Sequence, residues 1–254
     1  MDSFKACELD GHAKAYESTF PHYRENQIVH VAYGHRVARH IEACGAQKVL
    51  SLGIGHSDVA RPILELLTRQ RISRYVIVDG SPVIIDNFRM SLPVVPAGLD
   101  LIEGFFETFD PVERFDVIEA GFVFEHVDDP MFILKRLHAL LTPGARLFIA
   151  VPNARSLHRT LGHEAGLLPD LFELSNADRA LGHQRYFDVP SLHALVTTAG
   201  FRIESTEGML LKPFTTSQMA QLQLSDSIWA ALQVVAREYP ELSNAICLEA
   251  TVCS

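Results

Sequence analysis

Apolar residues recur along this chain in two rhythms, and the switches between them predict its elements. Residues 11–45 keep a helical period, with Val29, Val37 and Ile41 on one stripe, and Gly45 stands where such a helix stops. Short continuous apolar runs follow: Lys48–Leu52, Tyr75–Val78, Leu99–Glu103, Phe115–Glu119 and Arg146–Val151 read as strands. Between them, Pro62–Arg69, Pro82–Met90 and Pro130–Leu141 read as helices, the last closed by Pro143-Gly144. Pro190–Ala199 is a further helix, and Phe201–Glu207 and Ala245–Val252 are the last strands, expected as an antiparallel pair at one edge.

Alternating strands and helices imply βαβ units with right-handed crossovers. The expected fold class is therefore α/β: a doubly wound, mostly parallel, seven-stranded sheet covered on both faces. Ligands of such sheets bind at the carboxyl ends of the strands. Two segments break the rhythm, 153–188 and 214–239, and both read as insertions that shape a substrate pocket. The second has Leu222, Leu224, Ile228 and Leu232 as its apolar positions, and its Trp229 packs either on the domain or on a second subunit, which makes a homodimer an expectation.

Composition narrows the partners. The chain has 254 residues, 48% of them apolar, and a formal net charge of −9. Neutralising phosphates calls for a basic face, and none is evident, so nucleic acid is not expected as a partner. Arg69, Arg71 and Arg74 cluster, but they flank a helix end, where cations suit the helix dipole. Cys7, Cys44, Cys247 and Cys253 make no ligand-spaced pair and read as reduced thiols. No basic segment followed by an apolar run opens the chain, and no apolar stretch reaches the ~20 residues that span a bilayer. A soluble cytoplasmic protein with no membrane partner is the default expectation. The histidines show no HExxH spacing, and His35 and His40 are too far apart to share a helical face, so no metal is expected.

The chemistry gathers at strand ends. The first strand runs into Gly53-Ile54-Gly55, glycines that let a ligand approach the backbone closely. The second ends in Asp79, whose carboxylate can accept both hydroxyl hydrogens of a ribose, or can cap the next helix together with Ser81. A nicotinamide dinucleotide fits less well. Its fingerprint wants a third small residue where Asp58 stands, and Pro62 reads as a late helix start, which leaves the loop too long to cradle a pyrophosphate.

One order of motifs is more specific. Phe115-Asp116-Val117-Ile118 leads to Phe124-Glu125-His126-Val127-Asp128-Asp129-Pro130, then to Leu140-Leu141-Thr142-Pro143-Gly144 and Val151-Pro152-Asn153. This run resembles class I S-adenosylmethionine-dependent methyltransferases, in particular their ubiquinone-biosynthesis-like group, over about residues 30–207. The resemblance implies one methyltransferase domain over 1–254, with cap helices at 1–45 and a cofactor-binding core at 46–152. It implies S-adenosylmethionine as cofactor and S-adenosylhomocysteine as product. Gly53 and Gly55 would meet the methionine portion, and Asp79 the ribose. Gly80, Ser81, Phe105, Phe106 and Glu107 would border the adenine, and Gly121 and Phe122 the sulfonium end. The chain departs from the family at Ser51, where an acid is frequent, and at Ser57, where a third glycine is frequent.

Methyl transfer to a hydroxyl or ammonium needs a proton acceptor, and His126 and His183 are the candidates for it. Glu125, Asn153, Arg185 and Tyr186 are candidates for acceptor binding, as are Tyr16, Tyr23 and Tyr33 of the N-terminal segment. Arg185 could grip an anionic group bidentately or make a structural ion pair, and Asn153 could contact the acceptor or satisfy a turn. The expected activity is methylation of an oxygen or nitrogen, with carbon as an option, of a small-molecule metabolite. Methylation of a peptide or protein carboxylate and a non-catalytic cofactor-binding module are the rivals.

Overall fold

A computed structural model describes residues 23–253. Helix α1 (Tyr23–Cys44) precedes strand β1 (Lys48–Leu52), helix α2 (Ser57–Thr68), β2 (Arg74–Asp79), α3 (Pro82–Ser91) and β3 (Leu99–Glu103). Then come β4 (Phe115–Gly121), α4 (Pro130–Leu140), β5 (Leu141–Pro152), α5 (Leu157–Glu164), α6 (Asn176–Ala180) and α7 (Val189–Thr198). The chain ends with β6 (Phe201–Met209), α8 (Thr216–Gln221), α9 (Asp226–Ala236) and β7 (Ala245–Val252). Tyr16 lies outside the described residues.

The strands form one sheet in the order β3-β2-β1-β4-β5-β7-β6. The pairings β1–β2, β2–β3, β1–β4 and β4–β5 are parallel, and β7 runs antiparallel to both β5 and β6. The expected antiparallel pair is present, with β6 as the edge and β7 buried inside. Strand order reverses between β1 and β4, and the carboxyl ends at such a switch point are where ligands of doubly wound sheets bind.

Apolar faces fill the space on both sides of the sheet. Val37 and Ile41 of α1 and Ile63 of α2 pack with Ile77 and Phe148 on one face. Leu134 and Leu137 of α4 and Leu192 and Val196 of α7 pack with Ile118 and Phe201 on the other. Local chemistry sets the helix starts. Ser81 accepts from Ile84 N at 3.2 Å ahead of Pro82, Asp129 accepts from Phe132 N at 3.0 Å ahead of Pro130, and Asp188 forms a capping box with Ser191. Gly45 ends α1 with φ of 69° and donates to Ile41 O at 3.1 Å.

Two expectations need correction. Helix α2 starts at Ser57, so Pro62 lies inside it and the glycine loop is short. The helix tolerates this proline because it forfeits one hydrogen bond near the start, to the Asp58 carbonyl. The loop is therefore not too long for a pyrophosphate, and it is Asp58 that fits a dinucleotide poorly. Strand β5 also begins earlier than Arg146, running through Pro143 and Gly144 from Leu141.

The insertions are helical clamps. Residues 153–188 hold α5 and α6, and residues 214–239 hold α8 and α9. Trp229 is buried within its own domain, with the Arg24 guanidinium 5.0 Å from its ring centroid. Leu224 and Leu232 pack on the core, but Leu222 and Ile228 stay exposed, so only half of that apolar set faces inward. The second insertion grips α1: Lys212, just before it, pairs with Glu25 at 2.7 Å, and both side chains are buried. Among the described residues, no helix is long and apolar enough to cross a membrane.

Candidate active site

The glycine turn after β1 lies directly over Asp79. Gly53 has φ of 80° and Gly55 of 47°, conformations that disfavour a side chain. A Cβ on Gly53 would stand 3.9 Å from both Asp79 Oδ2 and Phe106 Cζ, so the turn leaves a cradle between that carboxylate and that ring. Ile54 N donates to Asp79 Oδ2 and Ser81 N to Asp79 Oδ1, both at 2.8 Å. These two amides orient the carboxylate at the end of β2, beside the glycine turn. Gly80 and half-buried Phe105, Phe106 and Glu107 sit at the same strand ends, whereas the Ser81 side chain is fully buried as the cap of α3.

Helix α1 roofs this cradle with rings. Tyr23 lies 5.9 Å from His56, His56 stacks on His30 at 4.9 Å, and His30 leans on Phe122 at 4.4 Å. Burial, reinforced by His56, pushes His30 down to about 3, so it is a neutral ring here. Phe122 holds a left-handed φ of 59° and donates its N–H to Ala150 O at 2.7 Å. Tyr33 has no exposure and sits where a Cβ on Gly121 would fall, 2.3 Å from its Cε1. It therefore builds the roof, and its expected contact with an acceptor gives way to packing.

A second cluster forms beyond β4. Ligand atoms of Glu125, His126 and His183 lie within 4.8 Å of one another, and the two imidazole rings meet edge to face at 4.8 Å. No sequence spacing brings His183 to this pair; the fold does. His183 Nδ1 lies 3.3 Å from Asp178 Oδ1, which also accepts from the Tyr186 hydroxyl at 3.0 Å. Asp178 is further fixed by a capping box with Ser175, and its carboxyl is held well below the usual range. Burial opposes that shift, but the close His183 ring and hydrogen bonds from Ser175 and Tyr186 outweigh it. Glu125 is fully buried, and burial raises it to about 7 although His183 and Arg185 pull the other way.

Arg185 and Asn153 are engaged in structural bonds. The Arg185 guanidinium donates to the carbonyls of Phe124, Val127 and Asp128, which ties the segment 183–187 to the turn 124–128. Gln184 Nε2 adds bonds to His126 O at 2.6 Å and Asp128 Oδ1 at 2.9 Å. Asn153 donates to the carbonyls of Pro240, Glu241 and Ser243 and is buried, so of its two readings the turn-satisfying one describes its bonds. Tyr186 lies under Arg159, whose guanidinium is 4.3 Å from its ring.

Three residues escaped the sequence reading. His56 and Asp178 carry no local signal beyond a polar residue in a turn and a helix cap. Glu119 had one: it stands inside an apolar strand at a position that alternates with Ile118 and Ala120. Its side chain is buried beside Ser51, its register partner on β1.

The chain is similar to known proteins in sequence and in fold. In curated sequences, a ubiquinone biosynthesis O-methyltransferase of Parvibaculum lavamentivorans is 32% identical over 111 residues, 41% of this chain and 40% of that protein. One from Bradyrhizobium diazoefficiens is 30% identical over 119 residues, 46% of this chain and 45% of that protein. The matches thus span about two fifths of the length of those relatives. Among solved structures, magnesium protoporphyrin IX methyltransferase from Synechocystis, with bound SAH, superposes with a TM-score of 0.63 at 16% identity, covering 100% of this chain and 97% of that one. A putative methyltransferase of Haloferax volcanii, solved with the Trm112 methyltransferase activator, gives 0.58 at 17% identity, covering 100% and 99%. At such identities these two establish the fold alone. A model of the methyltransferase domain matches residues 23–206, most of the described chain, and the chain belongs to that family.

Proposed function

We propose that this protein transfers a methyl group from S-adenosylmethionine to an oxygen or nitrogen, with carbon as a further option, of a small-molecule metabolite, leaving S-adenosylhomocysteine. The observation that carries this reading is the cradle of Gly53 over Asp79, at the point where strand order reverses. The relatives named for O-methylation in ubiquinone biosynthesis support a small-molecule acceptor. They do not favour a protein carboxylate or a catalytically silent module.

The bound cofactor supplies a methyl on a sulfonium leaving group. The chain's own work is alignment and proton handling. Gly53 and Gly55 give the methionine portion room at the backbone. Asp79 takes the ribose hydroxyls at the end of β2, where Ile54 N and Ser81 N orient its carboxylate. Phe105, Phe106, Glu107 and Gly80 border the base, and Gly121 and Phe122 the sulfonium end. His183 is the proton acceptor we favour, because Asp178 holds its Nδ1 side and turns Nε2 away from that carboxylate. His126 is the second candidate, and Tyr23 and Tyr186 flank the approach. The insertions at 153–188 and 214–239 shape the acceptor's mouth.

Calorimetric titration with S-adenosylmethionine and S-adenosylhomocysteine tests the cofactor. Tight wild-type binding, weakened at least about tenfold in Asp79→Asn, is expected. Absence of wild-type binding overturns the reading. Glu125, His126 and His183 also make a donor set suited to a divalent cation. Dialysis against a chelator separates the two uses: unchanged turnover supports proton transfer by histidine, and loss restored by added metal supports an ion. The described cysteines Cys44, Cys247 and Cys253 are free thiols, in keeping with a cytoplasmic location. A homodimer would have to cover the exposed Ile228, Val234 and Val235 of α9, and sedimentation velocity decides it.

A further inference from the structure

A carboxylate is buried where the ligand end of β1 meets that of β4. Glu119 pairs in register with Ser51 across the parallel ladder and is 2% exposed. Its Oε2 accepts from Gly121 N at 3.0 Å, the amide that ends β4. Ser51 Oγ lies between it and the Tyr75 hydroxyl, 2.8 Å from the latter, and the Tyr33 phenol of the roof helix lies alongside. Every one of these partners is neutral. Among the described residues, no lysine, arginine or histidine pairs with Glu119.

A buried carboxylate in neutral company is costly, and strand alternation offers no reason to put one there. A cationic ligand group arriving at this end of the sheet would offset the cost. Neutral residues of similar volume would serve the packing equally well. The amide that holds Oε2 is that of Gly121, the last residue of β4.

We propose that Glu119 is the counter-charge for the α-ammonium of the bound cofactor, forming with Ser51 and Gly121 an anionic subsite between β1 and β4. This rests on the cofactor reading above. The ammonium belongs to S-adenosylmethionine and S-adenosylhomocysteine alike and is missing from 5′-methylthioadenosine, which shares their nucleoside. The subsite therefore separates ligands by their amino-acid portion, while Asp79 acts on the ribose of all three.

The groups facing Glu119 leave its titration readable. Burial raises Glu119 to about 7. Tyr33 on α1 and Tyr75 on β2 are pushed well above 10.0, and Cys247 on β7, beside Tyr33, is raised to about 12, so all three stay neutral below pH 8. His30 and His56 of the roof are both lowered by burial. An ammonium binds the ionised form of Glu119, so affinity for S-adenosylhomocysteine rises with pH between about 5.5 and 7.5.

The test is calorimetry on the full chain with S-adenosylhomocysteine and 5′-methylthioadenosine. At pH 7.5, Glu119→Gln is expected to weaken S-adenosylhomocysteine by about tenfold or more and methylthioadenosine by less than about twofold. Adding Ser51→Asp to Glu119→Gln moves the charge one strand over and restores much of the loss. Equal weakening of both ligands, or none, overturns the proposal, the first by showing a structural role. If Glu119→Gln does not fold, the wild-type pH profiles decide: a slope for S-adenosylhomocysteine equal to that for methylthioadenosine overturns it. Failure of wild type to bind either nucleoside removes the cofactor reading itself, a separate outcome.

Discussion

Asp178 Oδ1 stands 3.3 Å from His183 Nδ1, and this contact orients the one histidine that the fold delivers to Glu125 and His126 from a distant segment. A carboxylate on Nδ1 fixes the tautomer whose Nε2 can accept a proton, and it stabilises the imidazolium that results. Asp178→Asn keeps the volume and removes the charge. Turnover is expected to fall on the order of 10²-fold near pH 7, with cofactor affinity unchanged. Thermal melts with kcat and KM measured side by side separate this from a folding defect, since only kcat should fall. An unchanged kcat would assign the proton transfer to another group.

Glu125 titrates against the fold. In the folded chain burial raises it from 4.5 to about 7, so the folded state holds this proton more tightly than the unfolded state does. Its contribution favours folding below pH 4.5, shrinks as pH rises toward 7, and above that is lost in full, a swing on the order of 3 kcal/mol. Glu125→Gln has no proton to lose. Denaturant melts are therefore expected to show equal stabilities for variant and wild type near pH 4.5 and a more stable variant near pH 8. A variant less stable at pH 8 would mean that a cation holds the carboxylate in its ionised form.

Elements that depend on runs of neighbouring residues were legible in the sequence. Ala245–Val252 and Leu99–Glu103 are found within the bounds their apolar runs suggest, and Ser81 and Asp129 cap helices as their positions ahead of prolines imply. Pro62 misled because a proline at a first helical position and one a turn further on look alike until the first turn is located. The cradle was legible for a related reason: Gly53 and Asp79 each end a strand, and adjacent parallel strands bring their ends together. The Asp178–His183 and Glu119–Ser51 pairs depend on how distant segments fold back, and no spacing encodes that. Arg185 and Asn153 have side chains suited to ligands, but their bonds go to carbonyls that only the folded insertions present.

Gly34 lets the roof helix touch the start of α2. A Cβ there would stand 2.8 Å from Asp58 O and 2.9 Å from both Val59 Cα and Val59 O, all backbone atoms that cannot swing aside. The Asp58 carbonyl is also the one that Pro62 leaves without its helical donor. Gly34→Ala must push α1 away from α2, with an expected loss of about 1–3 kcal/mol by thermal or denaturant melts. Because α1 carries Tyr23, His30 and Tyr33 over the glycine turn, cofactor affinity should fall as well. A stable variant with wild-type affinity would show that α1 can retreat without disturbing the cradle.

Lys212 and Glu25 anchor the other end of the same helix. Their side chains are 2.7 Å apart, each 5% exposed, and Thr216 adds a hydroxyl to Glu25 Oε2 at 2.8 Å. Removing one member of a buried pair leaves a charge that the site cannot solvate, whereas removing both is far milder. Lys212→Met is thus expected to cost about 3–5 kcal/mol, and Lys212→Met with Glu25→Gln to recover most of it. The pair joins the roof to the insertion that begins near residue 214, so the single variant should also loosen the roof. Hydrogen exchange at the first turns of α1 measures that directly: faster exchange in the single variant, with recovery in the double, is the expected pattern. Equal exchange in both, alongside equal stability, would mean that Arg24, with Asp226 at 2.5 Å and the Trp229 ring, holds this end of the helix without help.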